Sequence, residues 1–386
     1  MVLLIAIALA AAAPAQTGAC NQAAAAPSIN VALPSQPFAV TSTKDGCSVF
    51  VSFPRGNGIA VLKRGGGRVD LARVLPVQGR PAGIVLTHDE KLLIAAAQES
   101  VIFLDAPKMI AGAPNPVLGS FSDGKETGSV YAAVSPDDRL LFVSEEGARA
   151  ITVIDLDRAR KNGYKADAIL GQIPAAQAPV ALAFSPDGKW LYNVSQVGLA
   201  EWNWEKTCKP ESPRAKAGQM NPQGALLVVD VARARTDAAH SVVARAEAGC
   251  NPVRIALSPA GDRIYLTARG DDAVLAFDTA RLRTGAARAL VGKAPTGPAP
   301  VPIAVVDGGR RIIAGNSNRF EAASKPQNMT ILDASKLAQG AAAVMATMAA
   351  GVFPRELSVS ADGRTVFLTN FQSKSLQVMD VTKLGK

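Results

Sequence analysis

Residues 185–195 read SPDGKWLYNVS, and near copies return along the chain: SPDDRLLFVS at 135–144, SPAGDRIYLT at 258–267 and SADGRTVFLT at 360–369. Each joins a polar turn to a short run of β-branched and aromatic residues. In the turn, an Asp can bond its own backbone and a Gly accepts the left-handed conformation, so the pattern predicts a chain reversal followed by a strand. Aligned on the first turn residue, seven copies start at Thr43, Thr87, Ser135, Ser185, Ser258, Val306 and Ser360, spaced by 44, 48, 50, 73, 48 and 54 residues.

The rest of the unit repeats as well. An apolar strand opened by proline or its equivalent precedes the turn, as in VALAF after Pro179, VRIAL after Pro252 and RELSV after Pro354. A third strand ends on Asp in six copies (Asp105, Asp155, Asp230, Asp278, Asp333 and Asp380), and Lys63 takes that place in the first. Such an Asp suits the N-cap of a helical turn, for example at Leu156 to Ala159. A fourth strand, such as Val242 to Glu247, leads to the next proline. Four strands in each period of 44 to 54 residues fit a propeller blade and not a sandwich. The spacing of 73 holds an insertion at 197–223 in the fourth copy, so no repeat is missing.

The ends of the chain complement each other. The seventh copy stops at Lys386, after its third strand, while an orphan strand, Ile29 to Leu33, precedes the first copy. That strand is expected to complete the last blade and leave no open sheet edge. The expected fold is therefore all-β: a seven-bladed β-propeller of four-stranded antiparallel blades. Composition agrees, because 33 Gly and 25 Pro among 386 residues favour turns and short strands.

At the N-terminus, Val2 to Ala13 is apolar but about half the length of a membrane-spanning helix. The small-x-small site Ala13-Pro14-Ala15 follows it. Residues 1–15 read as a cleaved signal peptide, 16–28 as a linker and 29–386 as the propeller. A positive segment before the apolar run is missing, which leaves the true start codon open. Thr17 stands where a lipidation signal carries an aliphatic residue, so a lipid anchor on Cys20 is the lesser alternative. No later stretch is apolar enough to span a bilayer, and a periplasmic or secreted monomer is expected.

The blade pattern also sorts the loops by face. Loops from second to third strand share a face, here called the top, with the crossings between blades. The Asp-Gly turns and the capped helical turns share the bottom. Cys208, in the insertion, and Cys250, just before blade five, both fall on top, whereas Cys20 and Cys47 fall at the bottom. Disulfides Cys208–Cys250 and Cys20–Cys47 are expected, with a free or lipidated Cys20 as the alternative. No Cys-x-x-Cys pair occurs, which disfavours attached haem c and a zinc knuckle.

Other chemistries lack their residues. His88 and His240, the chain's two histidines, both fall low on the fold and read as surface residues, so His-based catalysis and a His metal site are disfavoured. Neither a Gly-x-Ser-x-Gly elbow nor a P-loop is present, and Gly65-Gly66-Gly67 reads as a flexible loop. No cofactor and no metal site are expected. The net charge of +9 is spread over turns of mixed sign, as at Lys44 with Asp45 and Arg364 with Asp362. This argues against sequence-specific nucleic-acid binding and leaves room for weak peripheral contact with anionic polymers or envelope lipid headgroups.

The top of the central channel is richer. Arg80, Arg254, Arg355 and Glu356 follow or adjoin blade-opening prolines, and Glu145, Arg269, Asp272, Asn316, Arg319 and Asn370 lie at or near the ends of second strands. Converging arginines can grip an anion at two points, or they can pair with acids and knit the blades together. Trp202 and Trp204 of the insertion can serve recognition or simply cover the blades beneath. A shorter extension, within Asn316 to Gln327, rises from the same face.

The units SPDGKWLYNVS and SADGRTVFLTN, with LQVMDV behind the latter, resemble the YVTN-type propeller repeats of bacterial surface and periplasmic proteins. These are similar in turn to propellers of the 6-phosphogluconolactonase-like family and the haem d1 domain. The resemblance covers residues 29–386 and is permissive for function. The expected function is that of an exported, non-catalytic binding module that meets a protein or a small anionic ligand through its top face. One alternative is a lactonase-like hydrolase of an anionic sugar lactone, with Glu356 or Glu145 activating water. Another is the propeller subunit of a periplasmic redox enzyme.

Overall fold

A computed structural model describes residues 20, 28–211, 215–285, 288–319 and 327–384. The expected signal peptide and nearly all of the expected linker lie outside the described residues, as do positions 320–326 of the blade-six extension.

Seven four-stranded antiparallel sheets follow one another around a ring. Six are built in chain order. The seventh holds Pro354–Val359, Thr365–Asn370 and Ser375–Asp380, and its outer strand is Ser28–Ala32 from the other end of the chain. Register runs from Ser28 opposite Met379 to Ala32 opposite Ser375, and the Leu33 N–H donates to the Lys374 carbonyl at 2.8 Å. Closure is reinforced where blade one meets blade seven. The Thr369 hydroxyl donates to the Phe38 carbonyl at 2.9 Å, and the buried Arg64 donates to Thr365 Oγ1 at 2.7 Å. Both expected disulfides are present, Cys20–Cys47 and Cys208–Cys250, so Cys20 is neither free nor available for lipid. Two disulfides fit an extracellular or otherwise oxidising compartment. Among the described residues no helix is long and apolar enough to cross a membrane.

The near-continuous apolar strands are explained by burial on both faces. In strand Leu92–Ala96, Leu93 and Ala95 pack toward blade one, whereas Leu92, Ile94 and Ala96 pack toward blade three. Alternate residues thus serve two different cores. The outer strands break this pattern: Arg68–Pro76 has one buried residue, Val69.

The repeated turn has one bonding scheme. In six copies the first hydroxyl donates to the turn's Asp at 2.5–2.7 Å. The same oxygen accepts the backbone N–H five residues on, which opens the second strand. Val306 has no hydroxyl, and blade six turns instead through a 3-10 segment, Asp307–Gly309. All six strand-ending Asp residues cap the helical turn behind them. Where Lys63 replaces Asp, no helical turn forms; strand Gly58–Gly65 returns directly into Arg68–Pro76. The glycine run read as a flexible loop is therefore a tight hairpin, with Gly66 and Gly67 at φ 56° and 75°.

Neighbouring turns also interlock. A Cβ added at Gly188 would lie 3.3 Å from Pro136, one at Gly261 would lie 2.5 Å from Pro186, and one at Gly309 would lie 2.9 Å from Pro259. Each proline belongs to the preceding blade. Gly363 has the same left-handed φ of 70° as Gly261 but nothing within 4 Å, because blade six offers Asp307 where the others offer proline. Gly363→Ala should therefore lose about 1 kcal/mol from backbone strain alone. Gly261→Ala should lose that plus about 1–3 kcal/mol for overpacking against Pro186. Chemical denaturation of both variants checks this, and equal losses would show that the proline contact contributes nothing.

Candidate functional site

The first strands of blades three, five and seven each carry a β-bulge near the top of the channel. The register shifts between Ser129 and Tyr131, between Pro252 and Arg254, and between Pro354 and Glu356. A bulge inserts an unpaired residue and re-aims its neighbour. Tyr131, Arg254 and Glu356 then occupy equivalent positions, opposite Ser144, Thr267 and Thr369, while Arg355 is the extra residue of its bulge.

These side chains meet across the ring. Arg254 Nε donates to Glu356 Oε2 at 2.9 Å, with 2% and 8% of the two side chains exposed. Arg254 Nη1 donates to the Val253 carbonyl, and the guanidinium lies 4.7 Å from the centre of the Tyr131 ring. Its Nη2 is buried and has no hydrogen-bond partner. Burial works against the Arg254 charge, but Glu356 outweighs it, and the pKa ends above the ordinary arginine value. Burial, then Glu356, pushes the Tyr131 phenol up, so it is neutral.

Around this plug the loops after the second strands add further charges. Arg269 donates from Nε to Glu211 Oε1 at 2.9 Å and from Nη2 to Glu211 Oε2, a two-point grip, and also reaches Gln196 Oε1 at 2.9 Å. Gln196 in turn donates to Glu146. Burial pushes Glu146 up although Arg355, Arg254, Arg269 and Arg319 all pull it down, which sets this carboxylate within the field of all four. Arg355 stacks 4.0 Å from the Phe38 ring centre and 5.9 Å from that of Phe353, and Arg319 lies 6.0 Å from the latter. Burial first, then the Arg254 charge, pushes Arg355 down to about 9. It remains a cation at neutral pH, held by aromatic faces. Among the described residues, no ion pair reaches it.

Of the residues singled out from the sequence, Arg254, Arg269, Arg319, Arg355 and Glu356 converge here. The others lie elsewhere. Arg80 is exposed on the crossing from blade one to blade two, at φ 59°. Glu145 is bonded inside blade three to Thr152 and to Gln172. Asn316 donates to Asn328 and Thr330 within blade six, Asn370 reaches Gln377 within blade seven, and Asp272 accepts the Ala299 N–H. Trp202 and Trp204 pack on each other at 4.8 Å and on the core of blades three and four, with Arg245 of the outer strand over Trp202. His88, read as a plain surface residue, is half exposed and also bonds Asp138 at 2.7 Å, linking two bottom turns.

Sequence reading missed Tyr131, Gln196, Glu146, Glu211, Phe38 and Phe353. Blade three opens with Ser129 where blades five and seven have proline, which hid the equivalence of Tyr131 with Arg254. Aligning strand starts on the turn, not on the proline, brings it out.

Neither a protein-family model nor a curated protein matches the sequence. Among solved structures 1403 chains match, too many for fold likeness to single out a function. One is a chain of the Kuenenia stuttgartiensis hydrazine synthase, with a TM-score of 0.67 and 18% identity over 92% of this chain and 97% of that one. Another belongs to a mitotic checkpoint complex, with a TM-score of 0.66 and 13% identity over 98% and 99%. The likeness is one of fold alone. The chain is a seven-bladed β-propeller.

Glu145 yields a test of the site's surroundings. Burial, with Asp123 adding to it and the Thr152 hydrogen bond opposing it, pushes this carboxyl up to about 7. The folded state thus favours the protonated form. The stabilisation is complete below the ordinary carboxylate value of 4.5 and is lost as pH rises through about 7. A shift of that size corresponds to roughly 3 kcal/mol. Glu145→Gln cannot ionise, so its thermal midpoint should fall less than the wild type's between about pH 5 and about pH 8. Parallel pH profiles would refute this.

Proposed function

We propose that this chain is an exported, non-catalytic binding module of the YVTN-repeat type that takes a small anionic ligand at the top of its channel. The observation that carries this reading is Arg355: a cation between two aromatic faces, with no ion pair reaching it among the described residues. The buried, unpartnered Nη2 of Arg254 adds a second donor in the same cluster. Buried guanidinium groups without full compensation favour an incoming anion. Arg254, Arg269, Arg319 and Arg355 all act on Glu146, so cations gather at this end of the channel. The disulfides agree with export.

The lactonase alternative has weaker support. Glu356 is engaged by Arg254, and Glu145 is bonded within blade three, so the two acids share no partner. A hydrolytic site needs a base free to reach water.

Calorimetric titration with citrate, phosphate and sulfate tests the proposal. At least one of these anions should bind, and binding should weaken as salt is raised. Arg355→Gln should weaken it at least about tenfold, equivalent to about 1.4 kcal/mol. The bottom-face control Arg364→Gln should leave it unchanged. Absence of binding by all three anions, or full binding by Arg355→Gln, would overturn the reading.

A further inference from the structure

The insertion between the second and third strands of blade four brings one group into the cluster that no blade supplies. Glu211 holds the fork of Arg269 at two points, from Nε at 2.9 Å and from Nη2. The Arg269 side chain is 4% exposed and that of Glu211 is 19% exposed. A guanidinium this deep is stable only while a carboxylate or similar anion satisfies it. Apart from Arg319, which stands in the blade-six extension, every other described charge of the cluster stands on a blade strand or on a short loop between strands. Glu211 instead stands three residues beyond Cys208, which is fixed to the ring through Cys250 with the Cα atoms 5.3 Å apart. The hydrogen-bonded sheet of the insertion is a short pair, Lys206–Cys208 with Asn221–Pro222, outside all seven blades.

We infer that Glu211 is a tethered stand-in for the ligand, and that the ligand is a small organic carboxylate which displaces it from Arg269. The inference rests on the anion-binding reading above and names the ligand's chemistry. Three points support it. The group already accommodated on the fork is a planar carboxylate, so an incoming one needs no new donor geometry. The exchange keeps the buried guanidinium paired throughout, because one carboxylate leaves as another arrives. Withdrawing Glu211 breaks none of the described strand-to-strand hydrogen bonds of the blades and takes one negative charge out of the cluster, which suits a dicarboxylate. Arg355, with Phe38 and Phe353 around it, is the cation available for the second carboxylate.

Titration of succinate, with inorganic phosphate as a comparison, into the wild type and Glu211→Gln tests this. A purely structural ion pair predicts that Glu211→Gln binds succinate no better than wild type. Displacement predicts that the variant binds succinate at least about tenfold more tightly. It also predicts a lowered thermal midpoint for the variant alone, recovered when succinate is added. Should Glu211→Gln fold poorly, the paired variant Cys208→Ser with Cys250→Ser loosens the same tether and should tighten succinate in the same direction. Unchanged succinate affinity in the variant, with Arg355-dependent anion binding intact in the wild type, would overturn the stand-in and leave the anion site standing. A gain for phosphate but not for succinate would overturn the carboxylate class. Binding of neither succinate nor phosphate by any of these proteins would overturn the stand-in, and absence of citrate and sulfate binding as well would overturn the anion site.

Discussion

No blade of this protein has a core of its own. The seven clusters of buried apolar side chains each draw on two neighbouring blades, and the seventh joins Phe367, Leu376 and Val378 to Val49, Val51 and Ala60 across the point where the chain ends meet. A sheet buried on both faces gains its hydrophobic stabilisation only when both neighbours are present. An open arc would leave two such faces wet, together with two strand edges. Closure is therefore a condition of stability for every blade. The borrowed strand Ser28–Ala32 joins the two ends of the chain inside blade seven, and the Thr369–Phe38 bond and the Cys20–Cys47 bridge reinforce the adjoining contact with blade one.

That dependence explains why the fold was legible from so little. The turn's hydroxyl, Asp and Gly meet local bonding needs, so they recur wherever the same turn is built. The alternating strand residues meet a different neighbour on each face, so they read as continuous apolar runs. The Lys63 exception is as informative as the rule: without an Asp to cap, the chain forms a hairpin instead of a helical turn. The prolines were less transparent. Their packing onto the glycine of the next blade's turn is a contact between repeats, and a repeat seen alone carries no sign of it.

The polar cluster at the channel mouth was only half legible for a related reason. Arg254, Arg355 and Glu356 could be found because proline marks the strand start. Tyr131 was hidden by Ser129, and the role of Glu145 was inverted by one position: the residue beside it, Glu146, is the one that faces the arginines. A single step along a strand switches its face, and a bulge switches it again. Position in the repeat therefore locates a side chain along the blade but does not decide whether it points to the channel or to the neighbouring sheet. Glu211 lies in a segment with no counterpart in the other blades, where repeat alignment has nothing to compare.

Function in such a ring concentrates where the packing constraint is weakest. The blade faces are committed to equivalent cores, and their hydroxyls are committed as well: Ser52, Ser144, Thr267 and Thr369, from blades one, three, five and seven, each donate to a carbonyl in or just before the next blade's first strand. Directly opposite Ser144, Thr267 and Thr369, on the inner strands, stand Tyr131, Arg254 and Glu356. The residues that fasten one blade to the next thus sit across from those that fill the channel, and the polar plug is held in place by the same contacts that close the ring. Rigidity of this kind lets charges be kept close together without collapsing into fully satisfied pairs. Arg355 stays on its aromatic faces, and Arg254 keeps one nitrogen unbonded. A flexible site would relax both toward the nearest carboxylate, whereas a closed ring holds them as they are.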